Sequence, residues 1–251
     1  MKTRRRFGQH FLHDPGVLKR IVEAIDPARG DVVVEIGPGE GALTRPLLER
    51  LDRLTAIEID RDLSARLIEE FPADRLTLIS ADALDHDFSA FPAGARIVGN
   101  LPYNISTPIL FHLARFADRV RDMHFMLQRE VVERMVARHS TPAYGRLSVM
   151  LQTRFAIKKL FNVAPGAFRP PPKVESAVVR LVPLPGAVIP EKFTDVVRRA
   201  FSARRKTLRN ALGLSPEDFA ELGLDPKLRP ENLSPADYVR IAQRITSRVV
   251  R

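Results

Sequence analysis

Along residues 31–128, short runs of β-branched and aliphatic residues alternate with amphipathic stretches, and that rhythm admits few folds. Short, almost wholly apolar strands that alternate with helices require a parallel sheet covered on both faces. Strands are expected at residues 32–36, 54–59, 76–80, 95–99 and 123–127. Leu43, Leu47, Leu48 and Leu51 recur at helical spacing, so 42–51 reads as a helix, as do 62–71 and 109–116. Two later runs, 156–163 and 176–182, are expected to extend the sheet with antiparallel edge strands. The fold class is therefore α/β: a Rossmann-like, mostly parallel, seven-stranded sheet.

The proline-rich stretch 165–172 cannot be helix or interior strand, because proline fixes φ and lacks a donor. It is expected to be an ordered loop or a linker. Pro183, Pro185, Gly186 and Pro190 then mark a boundary, beyond which 191–202, 206–212, 216–222 and 235–249 read as helices, the last with Ser234 as N-cap. The expected domains are 1–186, with a basic N-terminal arm, and a small, helical, basic 187–251.

No apolar run approaches the roughly 18 residues of a spanning helix, and residues 1–14 are Arg-rich without a secretory apolar segment. A cytoplasmic protein is expected. Zero cysteines exclude disulfides and thiolate chemistry, and the six histidines lack metal-ligand spacing, so no metal is expected. The net charge of +10 sits at the two ends. Residues 1–20 carry six Lys/Arg against one acid, residues 190–251 carry thirteen against eight, and the middle holds twenty-one of each. Two basic segments flanking a neutral core favour a nucleic-acid partner over a merely solvated surface.

Where the first strand ends, Glu35-Ile36-Gly37-Pro38-Gly39-Glu40-Gly41 breaks into a turn whose glycines let the main chain approach a ligand. A dinucleotide fingerprint reads G-x-G-x-x-G; here the third glycine comes one residue early, and the flanking acids make a poor host for pyrophosphate. A cationic, phosphate-free cofactor fits better, and S-adenosyl-L-methionine is the expectation. Glu58, followed by Ile59, ends the second strand 21 residues after Gly37, where such folds place a ribose-binding carboxylate. Asp82, with Ala83, lies just past the third strand, placed to accept from the cofactor's adenine amine.

The fourth strand runs into Asn100-Leu101-Pro102-Tyr103. Alone this reads equally well as turn chemistry. Beside three ligand-bearing loops it reads as a site for a flat base. The Asn100 oxygen and a main-chain carbonyl of Leu101 or Pro102 accept from an exocyclic amine, and Tyr103 stacks on the ring. Phe168 is either a stacking partner for the opposite face or a core aromatic that anchors the proline-rich loop.

With these residues in view, the chain resembles the small-subunit (16S) ribosomal RNA adenine dimethyltransferases. The matching blocks are Gln9-His10-Phe11-Leu12, Glu35 to Thr44, Glu58-Ile59-Asp60, Asp82-Ala83-Leu84, Asn100 to Ile105, Gln128 to Val131, Phe168 to Ser176, Arg205 to Asn210 and Leu233 to Tyr238. The resemblance implies a methyltransferase fold that binds S-adenosyl-L-methionine through His10, Leu12, Gly37, Gly39, Glu58, Ile59, Asp82, Ala83 and Asn100. It implies catalysis by Asn100, Leu101, Pro102, Tyr103 and Phe168 on two adjacent adenosines in a hairpin loop near the rRNA 3′ end, within the immature 30S subunit. The family usually has Asn where this chain has His10. Arg4 to Arg6 and Arg204-Arg205-Lys206 are expected to grip phosphates, and the enzyme to act as a monomer. The alternatives are a large-subunit rRNA methyltransferase of the antibiotic-resistance type, a non-catalytic assembly factor and a DNA adenine methyltransferase.

Overall fold

The structure, a computed structural model, describes residues 10–249; Gln9 and Arg4 to Arg6 lie outside the described residues. The chain opens with β1 (Phe11–Leu12) and α1 (Pro15–Ile25), which begins at Pro15 because the Asp14 carboxylate caps it by accepting from the Val17 amide. Then follow β2 (Val33–Ile36), α2 (Thr44–Leu48), β3 (Leu54–Glu58), α3 (Arg61–Glu70), β4 (Leu76–Ser80), β5 (Ala95–Asn100), α4 (Ser106–Leu113) and β6 (Val120–Gln128). Next come α5 (Arg129–Val136), α6 (Arg146–Gln152), β7 (Phe155–Val163), β8 (Phe168–Arg169) and β9 (Ser176–Pro183). The chain ends with α7 (Phe193–Ser202), α8 (Leu208–Leu212), α9 (Pro216–Leu222) and α10 (Pro235–Val249).

The main sheet has seven strands in the order β4-β3-β2-β5-β6-β9-β7. The first five are parallel, and β9 runs antiparallel to β6. The sequence placed 176–182 at an edge, and the structure corrects this: β9 lies between β6 and β7. Burial explains the placement, since the first four residues of β9 are all buried, whereas β7 mixes exposed and buried positions as an edge tolerates. The helix expected at 109–116 begins earlier, at Ser106, and gives way to a 3-10 turn from Ala114. The proline-rich stretch is not wholly irregular, because β8 inside it pairs antiparallel with β1.

Strand order reverses at β2, which has β3 on one side and β5 on the other. The crevice beyond its carboxyl end is where such sheets hold ligands. At the opposite end the Arg96 guanidinium is buried. It donates to both oxygens of Asp122, each at 3.0 Å, to Asp31 at 2.9 Å, and to the Asp26 and Ile25 carbonyls that end α1. Burial alone would raise the Asp122 pKa, but the hydrogen bonds and charge of Arg96, with the His124 ring 3.5 Å away, bring it to about 2.

Two compact units divide the chain. Of the described residues, one holds 10–132 and 157–183, the other 133–156 and 184–249. Relative to the boundary read near residue 186, one segment changes sides: 133–156 belongs with the C-terminal helices. The first unit has a core around Ile25, Leu47, Leu54 and Phe168. In the second, Tyr144, Val149, Phe193, Leu208 and Tyr238 form a separate core. Its buried phenols are satisfied by main-chain carbonyls, Tyr144 donating to Leu233 and Tyr238 to Pro230. Ser234 and Asp237 bond each other's amides in a capping box that starts α10, as read from the sequence. No helix among the described residues is long and apolar enough to cross a membrane.

Candidate active site

A cavity of about 290 Å³ opens at the carboxyl ends of β2, β3, β4 and β5. The β2 loop supplies Gly37 and Gly39, the β3 end Glu58 and Ile59, the β4 end Asp82 and Ala83, and the β5 end Asn100 to Tyr103. From the N-terminal side come His10 and Leu12. All the residues expected to bind the cofactor or act in catalysis, except Phe168, therefore line one space. Gly39 takes φ +59°, which L side chains rarely adopt, and a Cβ there would also crowd the Phe11 ring at 3.1 Å, so a glycine suits the place where the loop meets β1.

Four carboxylates, Glu35, Glu40, Glu58 and Asp82, supply the charge of otherwise largely apolar walls. Glu58 is 3% exposed, and its two oxygens accept from the amides of Gly39 at 3.1 Å and Asp60 at 3.0 Å. Burial raises its pKa, and those amides partly pull it back. Glu35 is 1% exposed and accepts from the Thr44 hydroxyl at 2.7 Å. Burial, reinforced by the nearby Glu58 charge and opposed by that hydroxyl, pushes the Glu35 pKa up to about 7. Asp82 uses one oxygen to accept from the Leu84 amide at 2.9 Å. No Lys or Arg among the described residues lines the cavity. Acids without basic partners suit a cation with hydroxyl and amine donors, and they disfavour a polyphosphate. Among the described residues, no cluster of three or more His, Asp or Glu could hold a metal.

Asn100 ends β5 opposite Met126 of β6. Gly99 just before it lies so close to β2 that a Cβ would sit 2.5 Å from the Ile36 carbonyl oxygen. The Asn100 Nδ2 donates to the main-chain oxygen of His10 at 3.1 Å, and His10 Nδ1 is 2.7 Å from the Pro170 oxygen. Tyr103 bonds Ser176 Oγ through its hydroxyl at 2.6 Å, with its ring 5.6 Å from the His10 imidazole. Burial raises the Tyr103 pKa. The Pro102 carbonyl is already engaged, accepting from Ser106 Oγ at 3.1 Å and the Ile105 amide at 3.2 Å.

Phe168 does not join this group. It is 2% exposed and packs in the core with Leu12 and Val163, because β8 alternates and turns Phe168 inward while Arg169 faces out. Of its two sequence readings, the core aromatic fits the structure. In the basic cluster, Arg204 is tied to Glu231 at 2.8 Å and to the Pro142 carbonyl, whereas Arg205 and Lys206 are exposed. Sequence reasoning missed Glu35 and Phe11 as cavity residues, although both lie inside motifs it had singled out.

A reversing parallel sheet with an acid-lined, glycine-floored cavity at its switch point is the architecture of the Rossmann-like methyltransferases. Within that class the chain belongs to the family described as ribosomal RNA adenine dimethylase, whose model matches residues 1–247. It is 59% identical over 251 residues to the ribosomal RNA small subunit methyltransferase A of Thiobacillus denitrificans, covering 98% of each chain. It is likewise 59% identical over 244 residues to the protein of that name from Nitrosospira multiformis, covering 95% of this chain and 94% of the other. Among solved structures, a dimethyladenosine transferase from Plasmodium falciparum matches with a TM-score of 0.83 at 26% identity, over 96% of this chain and 98% of that one. The 23S rRNA methyltransferase ErmE matches with a TM-score of 0.71 at 27% identity, over 94% of this chain and 99% of that one.

Proposed function

We propose that this rRNA adenine dimethyltransferase uses S-adenosyl-L-methionine to methylate the exocyclic amines of two adjacent adenosines in small-subunit rRNA, within the immature 30S subunit and as a monomer. The observation that carries this reading is a single cavity: the Asn100 to Tyr103 corner and the acid-bearing loops of β2, β3 and β4 face the same space. The small-subunit assignment is supported by relatives more than twice as identical to this chain as ErmE is.

The cofactor, when bound, supplies a methyl group on a sulfonium whose departure as a neutral thioether needs no proton donor. Glu58 would hold its ribose hydroxyls, Asp82 its adenine amine, and Ile59, 48% exposed at the cavity lip, would pack on the adenine face. Glu35 and the glycine loop would face its positively charged end. On the acceptor side, the Asn100 oxygen and the Leu101 carbonyl take the two amine hydrogens, since the Pro102 carbonyl is committed to the start of α4. Both acceptors favour a pyramidal nitrogen and stabilise the positive charge that develops as the bond forms. Tyr103, braced through Ser176, stacks on the extruded base, a contact worth on the order of 1–3 kcal/mol. An amide cannot take up a proton, so the amine proton passes to solvent.

The test is methyl incorporation into unmethylated small subunits, with a mass map of the rRNA. Asn100→Ala should cut the rate about a hundredfold, near 3 kcal/mol of transition-state stabilisation, while cofactor binding by calorimetry changes far less. Equal transfer to duplex DNA or to large subunits would refute the substrate assignment.

A further inference from the structure

An amide that must act as an acceptor has a difficulty of its own: rotated by half a turn about its last torsion, Asn100 would present an NH2 group where the substrate amine needs an oxygen. The two orientations differ little in shape, so something must choose between them. The choice is made by the main chain of His10. Its carbonyl lies 3.1 Å from the Asn100 amide nitrogen, and a carbonyl can only accept, so the nitrogen must face it. The oxygen is then left for the cavity. The carbonyl is itself fixed from two sides. β1 pairs with β8 in the register Phe11 with Arg169 and Leu12 with Phe168, and the His13 amide donates to the Ala167 carbonyl at 2.9 Å. The His10 imidazole adds a tether to the Pro170 carbonyl at 2.7 Å, in which Nδ1 must be the donor.

We propose that His10 is a positioning residue for the reaction: tethered to the proline-rich loop, its main-chain carbonyl locks the Asn100 amide with the oxygen toward the base and so selects bases that carry an amine at that position. This rests on the reading of the cavity as an adenine-amine methylation site. A base with a carbonyl there, as in inosine, meets the locked oxygen acceptor to acceptor and is rejected. Releasing the lock lets the amide turn and blunts that discrimination.

The experiment uses the full-length protein with His10→Leu, which removes the tether but keeps an apolar side chain, and with His10→Asn. The Asn side chain carries its nitrogen the same number of bonds from the backbone as His Nδ1 and should restore the tether. His10→Leu should lower the turnover of unmethylated small subunits about tenfold, with their KM within twofold. An inosine hairpin has no amine to methylate and acts only as an inhibitor of transfer to the adenosine hairpin; its inhibition constant relative to the adenosine KM should fall at least threefold. His10→Asn should return both values to within twofold of wild type. If His10→Leu leaves turnover and base preference unchanged, or if its loss lies wholly in KM or follows a fallen Tm that His10→Asn shares, the positioning role is wrong. If the wild-type protein transfers no methyl to adenosine, the underlying reading falls and this proposal with it.

Discussion

Glu35 shows how far a single side chain can be pushed by where it is put. Its folded-state pKa of about 7 stands above the ordinary carboxylate value of 4.5. Between those values the folded chain keeps a proton that the unfolded chain has released. The group's contribution to stability is therefore present below pH 4.5 and is lost as pH rises through 7, a swing of roughly 3 kcal/mol. Glu35→Gln should leave Tm nearly unchanged at pH 5 and raise it at pH 8, and saturating S-adenosyl-L-methionine should narrow the difference by supplying the missing positive charge. Thermal unfolding across that range, with and without cofactor, measures both. At this scale the sequence was partly legible. The acids and glycines sit in a local motif, but whether Glu35 is charged depends on burial that only the fold supplies. Phe168 was ambiguous for a similar reason, since nothing local to an isolated aromatic says which way it faces. The bond between Asn100 and His10 spans 90 positions and leaves no trace in either neighbourhood.

Among the elements, β5 is held by exclusions at both ends. At its carboxyl end, Gly99→Ala would drive a Cβ into the Ile36 main chain, which has no side chain's freedom to yield. The two strands must part, costing about 2 kcal/mol of stability and displacing Asn100. Urea denaturation should register the first effect and a transfer rate reduced at least tenfold the second. At the amino end, Asp122→Ala leaves the Arg96 cation buried with only Asp31 and carbonyls to face, and should cost about 3–4 kcal/mol by the same denaturation assay. The Asp122 contribution is present above its ordinary value of 3.8 and is lost as pH falls through about 2. The long parallel strands were readable because their apolar runs are continuous. The pairing of β1 with β8 was not, because two residues carry no period and the partner lies in a stretch whose prolines argue against a strand.

At the scale of the whole molecule, the basic excess divides between the N-terminal residues and the C-terminal helices, but its members are not equivalent. Arg204 is occupied by Glu231, whereas Arg205 and Lys206 are exposed. Reversing the latter two with Arg205→Glu and Lys206→Glu should weaken binding to small subunits and flatten its salt dependence by about two ions, leaving cofactor affinity intact. Filter binding across a salt series, with calorimetry as control, tests this. The domain boundary was only half legible. Prolines and a glycine mark the departure at 184, but the apolar residues of 133–156 would suit either core, and only packing assigns them. That assignment bears on how the chain is made. Translation delivers Tyr144 and Val149 long before α7 and α10, the helices that α6 packs against, have left the ribosome. The segment must wait, greasy side uncovered, while three further strands are synthesised. The last helix thus sets the clock for completing this half of the molecule, and a premature stop within it would release a polypeptide with an unfinished interior and an invitation to chaperones and proteases.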